Sequence, residues 1–376
     1  MLGLTATAIV AAGVGAGAAI GLSHGSSSGS ASSTSKEVLS TSQIASKVDP
    51  GLVDVKSILG YQGAESLGTG IVLTANGEIL TNNHVINGAT SISVTDIGNG
   101  KTYKATVVGY DESKDIAVLQ LSGASGLATA TIGNSSTVAV GDSVVGLGNA
   151  GGVGGTPSVA SGSVTALNQS ITASDQSSGS SEQLSGLIQT NADIQSGDSG
   201  GPLVNSNGAI VGIDTAASTN YQFGGYGGGY GGAYGGYGSQ GSTGSSSSGS
   251  GSTTEGFAIP INTALSIAKE IESGQASSTV HIGATAFLGV GIASTQPSGE
   301  QGVLITGTAS GTPAAAAGLT ANDLITSVAG KPVTSGTDIQ NILIGYHPGD
   351  KVSIAWTDAT GQSHSATITL ATGPAA

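Results

Sequence analysis

Short apolar runs separated by glycine and asparagine turns are the feature that most constrains the fold of this 376-residue chain. They begin near Val53, and an early pair of runs, 70–73 and 78–81, flanks Asn76-Gly77, a dipeptide typical of a two-residue hairpin turn. Similar runs follow at 104–108, 116–121, 143–147, 163–167, 203–204 and 209–213. Because these runs have almost no helix between them, they predict a mainly β domain built as a barrel or sandwich.

A second unit of a different kind is predicted after a short helix at 264–271 and a hinge at 274–278. Strands are expected in it near 289–292, 302–306, 324–328, 352–356 and 365–370. Two short helices fit at 313–317 and 336–344. This mixture predicts a compact α+β module that covers residues 284–372.

The N-terminal residues 1–22 carry no charge and consist mostly of small and aliphatic residues. About 20 such residues can span a bilayer, so we expect a single membrane anchor with the rest of the chain outside the cytoplasm. The first basic residue is Lys36, so the sequence lacks the basic flank that is typical of an anchor. We therefore expect that a basic cytoplasmic segment has been lost from its start. The alternative is a secreted protein with a signal cleaved near Ala16-Gly17-Ala18. A Ser/Gly-rich tether is predicted at 23–41.

Composition excludes several classes of function. The formal net charge is -14 and the sequence pI is about 4.4, which disfavours nucleic acid as a partner. Cysteine is absent, which excludes disulfides, zinc–thiolate sites and cysteine nucleophiles. The histidines are scattered without the spacing of metal ligands, so we expect neither a metal nor a cofactor.

Residues 218–254 interrupt the β pattern with five tyrosines among glycines and then a Ser/Gly run. Such a segment has too few apolar residues to form a core, which predicts a disordered loop. It is inserted between strands, because residues 257–261 resume the β pattern. For this insert, the interpretation as an inert spacer is favoured over that of a flap whose tyrosines bind polypeptide substrates.

The heptapeptide 197–203, Gly-Asp-Ser-Gly-Gly-Pro-Leu, is the strongest chemical signal in the chain. A serine hydroxyl needs a base to accept its proton and donors to hold the resulting oxyanion. The glycines around Ser199 allow the sharp turn that directs backbone N–H groups inward. We therefore predict Ser199 as nucleophile and an oxyanion hole at Gly197, Asp198 and Ser199, with the N–H groups of Gly197 and Ser199 as donors.

The base is expected to be His84, because it is the histidine inside the β domain. Asp115 precedes the apolar run 116–121 and is the predicted orienting acid, with Asp111 as its competitor. The order His84, Asp115, Ser199 is that of chymotrypsin. The remaining histidines lie in the tether or in and beside the second unit: His24, His281, His347 and His364.

These motifs resemble the HtrA (DegP-like) family of trypsin-like serine proteases. The similar segments are 81–85, 115–119, 189–194, 197–203 and 256–261. The resemblance implies that residues 42–275 form a chymotrypsin-like double β-barrel with the site between its barrels, and that one PDZ domain follows. It also implies cleavage of misfolded or signal-carrying proteins in the cell envelope, and often a trimer.

Several residues near Ser199 bear on substrate specificity. Asp198 stands where many relatives have asparagine. Asp193 lies six residues before Ser199, where a buried carboxylate would select Lys or Arg. A loop-capping role is favoured, because the family prefers small aliphatic residues. In relatives, Ile213, Asp214 and Thr215 form a wall of the same pocket, which makes them candidate substrate-binding residues.

In the second unit, Phe287, Leu288, Gly289 and Val290 resemble a PDZ carboxylate-binding loop, whose N–H groups hold a peptide C-terminus while the next strand pairs with the peptide. On the predicted groove helix, Ile339, Ile342 and Leu343 fit either the groove or the core equally well.

The leading hypothesis is therefore a serine endopeptidase acting on exported or misfolded proteins, with a PDZ domain that binds peptide C-termini. The first alternative is a noncatalytic envelope chaperone or sensor that uses the PDZ groove. The second is a surface adhesion or structural protein, which the Gly/Tyr insert suggests.

Overall fold

A computed structural model describes residues 39–174, 181–217, 255–293, 295 and 301–375. The predicted anchor at 1–22, most of the tether and the predicted disordered insert at 218–254 lie outside these residues. Among the residues inside these ranges, no helix combines the length and the apolar character that crossing a membrane requires.

Residues 52–121 form a closed six-stranded barrel. Helix α1 (Thr41–Val48) precedes it, and the single-turn helix α2 (Asn83–Ile86) lies between its third and fourth strands. The strands are β1 (Leu52–Leu59), β2 (Ala64–Val72), β3 (Glu78–Thr81), β4 (Ser91–Asp96), β5 (Thr102–Asp111) and β6 (Ile116–Leu121). They pair in the order β5-β4-β1-β2-β3-β6, and β6 pairs again with β5 to close the barrel.

A second six-stranded barrel follows, closed in the order β10-β11-β12-β9-β8-β7. Its strands are β7 (Ser143–Gly148), β8 (Ser158–Ser174), β9 (Ser181–Thr190), β10 (Pro202–Asn205), β11 (Ile210–Ala217) and β12 (Gly256–Pro260). Helix α3 (Ile261–Glu272) leaves this barrel, and strand β13 (Val280–Ile282) returns to pair with β5 of the first.

The remaining residues form an α+β module with its own core around Trp356. Its elements are β14 (Ala286–Phe287), β15 (Val290–Ile292), β16 (Val303–Thr308), α4 (Pro313–Ala316), β17 (Leu324–Val328), β18 (Lys331–Pro332), α5 (Gly336–Leu343), β19 (Lys351–Thr357), β20 (Ser363–Thr369) and β21 (Ala371–Thr372). The main sheet runs β15-β16-β17-β19-β20, and β14 pairs with β21.

Burial patterns explain why these segments form strands and helices. β4 alternates between buried and more exposed positions, as expected of a barrel strand with one face in the core. β6 is buried at nearly every position, because its inner face fills the barrel and α3 packs on it. In α3, the buried positions Ile261, Ala264, Ala268 and Ile271 recur at helical spacing and form one apolar stripe.

The predicted fold class is confirmed: a mainly β, two-barrel domain is followed by an α+β module. One difference concerns β8, which is 17 residues long, whereas the sequence indicates a short run within it at 163–167. Polar residues fill much of β8, because it pairs with β7 and then extends along β9 beyond the apolar core.

Candidate active site

His84 is positioned by the end of β3 and the short helix α2. Asn82 precedes the helix in an extended conformation, and the buried side chains of Val85 and Ile86 hold the turn against the barrel core. The side chain of His84 is 15% exposed, so it lies at the surface of a largely closed site.

Asp115 lies opposite, at the start of β6, and its side chain is 1% exposed. Its Oδ2 is 2.8 Å from His84 Nδ1, and its Oδ1 accepts the backbone N–H of His84 at 2.9 Å. Asn82 Nδ2 donates to the Asp115 carbonyl at 2.8 Å. These bonds fix both the position and the ring orientation of the imidazole.

Asp111, the competing acid, has a different role. Its Oδ1 accepts hydrogen bonds from Ser113 Oγ at 2.7 Å and from the Lys114 N–H at 3.2 Å. It therefore caps the 3₁₀ turn of residues 112–114, which delivers Asp115 to the histidine.

Thr215 connects the acid to the serine. Its hydroxyl donates to Asp115 Oδ2, and its carbonyl oxygen lies 3.4 Å from the hydroxyl of Ser199. The sequence points to Thr215 as a substrate-binding residue, but the structure uses its hydroxyl to hold the acid. Thr215, in β11 of the second barrel, thus links Asp115 of the first barrel to Ser199.

The backbone of residues 197–200 forms the turn predicted for a nucleophile. Gly197 has φ +95° and Gly200 has φ +85°, a region that favours glycine. Across the described chain, the N–H groups of Gly197 and Ser199 donate to no backbone or side-chain acceptor. The N–H of Asp198, which the sequence also predicts to belong to the oxyanion hole, instead donates to the Gln195 carbonyl at 3.0 Å.

Two carboxyl groups are buried beneath this turn. Asp198 accepts hydrogen bonds from Ser158 Oγ at 2.6 Å and from the Gln195 N–H at 2.9 Å, and burial raises its pKa. Neither side-chain oxygen of Asp214 has a hydrogen-bond partner among the described residues. Burial, and secondly the charge of Asp198, raise the pKa of Asp214 well above its usual range.

The candidate specificity residues are not arranged as a buried acidic pocket around Asp193. The Asp193 side chain is exposed and accepts a hydrogen bond from Gln195 Nε2 at 2.9 Å. The buried carboxyls in this region belong to Asp198 and Asp214 instead, and Ile213 lies in the barrel core.

The predicted peptide site of the α+β module has an open strand edge. β15 pairs with β16 on one side and is the edge strand of its sheet within the described residues. Gly289 has φ +84°, and Ile292 of β15 faces Gly336 at the start of α5. The ring of Phe287 packs 5.3 Å from that of Tyr61 in the first barrel.

The groove helix divides its apolar residues between two roles. Ile339 and Leu343 are buried in the module core, whereas Ile342 is half-buried at its edge.

Comparison with known proteins agrees with both parts of the architecture. A model of the trypsin-like peptidase domain matches residues 68–213, and a model of the PDZ domain matches residues 304–357.

Three relatives illustrate the similarity along the chain. Serine protease PepD of Mycobacterium tuberculosis is 32% identical over 88% of this chain and 66% of its own length. Periplasmic pH-dependent serine endoprotease DegQ of Escherichia coli is 32% identical over 78% of this chain and 57% of its own length. Serine protease Do-like HtrA of Lactococcus lactis subsp. lactis is 30% identical over 81% of this chain and 70% of its own length.

The chain thus spans less than two thirds of the lengths of PepD and DegQ, and somewhat more of the Lactococcus protein. The two barrels, the bonded His84 and Asp115, and the following α+β module agree with these similarities. The chain belongs to the HtrA family of serine proteases, with a trypsin-like peptidase domain followed by a PDZ domain.

Proposed function

We propose that this chain is a serine endopeptidase in which Ser199 is the nucleophile, His84 the general base and Asp115 the orienting acid. The observation that carries the proposal is the set of bonds around Asp115. Its carboxylate contacts the ring and backbone of His84, and through Thr215 it is linked to the hydroxyl of Ser199.

In the first half of the reaction, Ser199 Oγ attacks the carbonyl carbon of the scissile peptide bond and its proton passes to His84 Nε2. Asp115 keeps the other ring nitrogen protonated and stabilises the imidazolium. The N–H groups of Gly197 and Ser199 hold the oxyanion of the tetrahedral intermediate. His84 then gives its proton to the departing amine as the C–N bond breaks, which leaves an acyl-enzyme.

In the second half, His84 accepts a proton from water while the water oxygen attacks the acyl carbon. The tetrahedral intermediate uses the same N–H donors, and its collapse returns the proton to Ser199 Oγ and releases the acid product. No cofactor is needed, because the protein groups supply base, acid and oxyanion donors.

The PDZ module is proposed to bind peptide C-termini. The open edge of β15 offers main-chain groups for an added strand, and residues 287–290 lead into that strand, which begins at Val290. The half-buried Ile342 and the exposed Ile292 supply apolar contacts for the peptide side chains.

The proposed substrates are exported or misfolded proteins outside the cytoplasm. The support is the family relationship, including a relative whose name describes a periplasmic endoprotease. The acidic net charge of -14 disfavours nucleic acid as a partner.

The test is digestion of casein by the full chain, by Ser199→Ala and by Ser196→Ala. Ser196 is a matched control, because it is an exposed serine three residues earlier in the same loop. The proposal expects the Ser196 variant to keep its activity and the Ser199 variant to lose it. Equal digestion by the wild type and Ser199→Ala would reject this triad. Suppression of aggregation without any digestion by the wild type would favour the noncatalytic chaperone.

A further inference from the structure

Thr69, a residue of β2 in the first barrel, is bonded to the nucleophile turn of the second barrel. It is 2% exposed, and its hydroxyl donates to the Gly197 carbonyl at 2.7 Å. Its backbone N–H donates to the Ser199 carbonyl at 2.8 Å. One residue therefore anchors the two carbonyls on either side of Asp198.

The same residue is itself fixed from two directions. Its hydroxyl oxygen accepts the Asn149 N–H at 2.9 Å, so the proton of the hydroxyl is directed to Gly197. Its carbonyl accepts the hydroxyl of Thr81 at 2.6 Å. Thr81 ends β3, three residues before His84, and is fully buried. A chain of hydrogen bonds thus joins the strand that precedes the proposed base to the turn that carries the proposed nucleophile.

This connection matters because Gly197 is conformationally soft. At φ +95° it has no Cβ to restrict rotation, and its N–H must point at the position of the oxyanion. A displacement of about 1 Å in a reacting group can lower a rate roughly 100-fold. Anchoring the carbonyls of Gly197 and Ser199 limits rotation of the two residues whose N–H groups are the proposed donors.

We propose that Thr69 is a positioning residue for the oxyanion hole: its hydroxyl and N–H hold Gly197 and Ser199 at the geometry that a tetrahedral intermediate requires. This inference rests on the proposed endopeptidase function. It predicts that Thr69 helps to stabilise the transition state and contributes little to the binding of the unreacted substrate.

The test compares Thr69→Val, which has a similar shape but no hydroxyl, with Thr69→Ser, which keeps the hydroxyl. Thr106→Val is the matched control, because Thr106 is an exposed threonine of the same barrel. For each full-length variant, kcat and KM are measured on fluorescently labelled casein. The affinity for a peptide boronic acid ending in valine is measured as well, since its adduct with a serine imitates the tetrahedral intermediate.

For Thr69→Val we expect kcat to fall about 10- to 100-fold, below the 10²–10³-fold loss reported for removing an oxyanion donor outright. KM should stay within about threefold of the wild type, and boronate affinity should fall in parallel with kcat. Thr69→Ser and Thr106→Val should keep kcat within about threefold of the wild type.

A wild-type kcat in Thr69→Val would overturn the inference. An equal loss of kcat in Thr69→Ser would also overturn it, because it would show that packing of the threonine methyl group matters and not the hydroxyl. If Thr69→Val does not fold, as judged by thermal melting, Thr81→Val takes its place, and an unchanged kcat in that variant overturns the inference. Ser199→Ala, assayed alongside, separates the two proposals. Activity in that variant rejects the endopeptidase proposal, whereas its inactivity together with full activity in Thr69→Val rejects the positioning role alone.

Discussion

At the scale of single residues, the two buried carboxyls near the nucleophile turn differ in the hydrogen bonds that stabilise their ionised forms. Asp198 accepts two hydrogen bonds, which favour its ionised form, whereas Asp214 has none among the described residues. Neither forms an ion pair with a lysine, arginine or histidine there. Ionising both would place two like charges in a low dielectric, so Asp214 keeps its proton as the pH rises past the usual range of an aspartate.

Asp214→Asn is therefore expected to stabilise the protein at neutral pH. A folded-state pKa raised above the unfolded value of about 3.9 means that the folded state binds a proton more tightly. The contribution of the Asp214 carboxyl to the free energy of unfolding is fully present below the unfolded pKa and is lost as the pH rises through the folded pKa. The amide cannot ionise, so the variant avoids that loss. We expect the gain to reach about 1 kcal/mol or more at pH 8, or roughly 2–4 °C in Tm.

The measurement is thermal unfolding of the wild type and variant from pH 4 to pH 8. The two Tm values should approach each other at the acidic end, where the wild-type carboxyl is protonated in the folded state and increasingly protonated in the unfolded state. Asp193→Asn is the control, because that carboxylate is exposed, belongs to the loop that also holds Asp198, and should show no such trend. A Tm difference that is constant with pH would contradict the expected loss of stability on ionisation of Asp214.

His84→Ala tests the base at the same scale. Removing the imidazole leaves Ser199 without a group that accepts its proton, and general base catalysis contributes about 10²–10⁴-fold. We expect kcat on casein to fall by at least that factor while Tm changes little, since His84 lies at the edge of the core. Wild-type turnover in this variant would remove His84 from the mechanism.

The sequence is sufficient to single out His84, Asp115 and Ser199 as candidates, because local motifs carry them. It is not sufficient for Thr69 or for the hydroxyl of Thr215. Thr215 bonds to a residue 100 positions away, and Thr69 to one 128 positions away. Threonine is common in strands, so neither side chain differs locally from one that only packs. The burial of Asp214 and the exposure of Asp193 likewise depend on the fold, because Asp214 lies in β11 and Asp193 in a loop, which two identical side chains do not reveal.

At the scale of elements, helix α5 shows why an apolar pattern alone leaves groove and core unresolved. Ile339 and Ile342 are three residues apart and therefore lie near one another on the helix surface. A small rotation of the helix decides which of them faces the sheet. The structure directs Ile339 into the core and leaves Ile342 half-buried, a division set by packing against the sheet of β15–β20.

Alanine substitutions should separate these two roles. Ile339→Ala is expected to destabilise the PDZ module by about 2–5 kcal/mol, the usual cost of truncating a buried isoleucine. Ile342→Ala should cost less stability and weaken binding of a peptide that ends in a free valine carboxylate. Unfolding is followed by fluorescence of Trp356, the single tryptophan of the chain, and binding is compared with the amidated peptide. An equal stability loss in both variants, with unchanged peptide affinity in Ile342→Ala, would show that both residues serve the core.

At the scale of the whole molecule, two backbone connections link the PDZ module to the first barrel beside the proposed catalytic residues. The Gly88 N–H donates to the Ala375 carbonyl, and the Ala375 N–H donates to the Ala89 carbonyl at 2.9 Å. Gly88 and Ala89 follow the helix that carries His84. The strand β13 forms the second connection, because it pairs with β5 at Asp111, which caps the turn before Asp115.

His281 is the side chain at the centre of this second connection. It is 2% exposed, its Nδ1 lies 3.0 Å from the carbonyl of Ile344 at the end of α5, and its Nε2 lies 3.3 Å from the Ala284 carbonyl. Its ring also packs on Tyr110 of the barrel and on His347 of the PDZ module. The imidazole therefore belongs to the packing of both domains, so the two should unfold together.

His281→Leu should uncouple the domains, because leucine fills similar space but leaves the Ile344 carbonyl without this partner. A buried polar group left unpaired costs about 1–3 kcal/mol. The loss should fall on the PDZ module, which has the smaller core. We expect the thermal midpoint reported by Trp356 to drop several degrees below the midpoint for loss of casein cleavage, whereas the two midpoints coincide in the wild type. His347→Gln, which removes a ring stack at a more exposed site, should separate them less. Coincident midpoints in His281→Leu would mean that the tail contacts at Gly88 and Ala89 alone maintain the coupling.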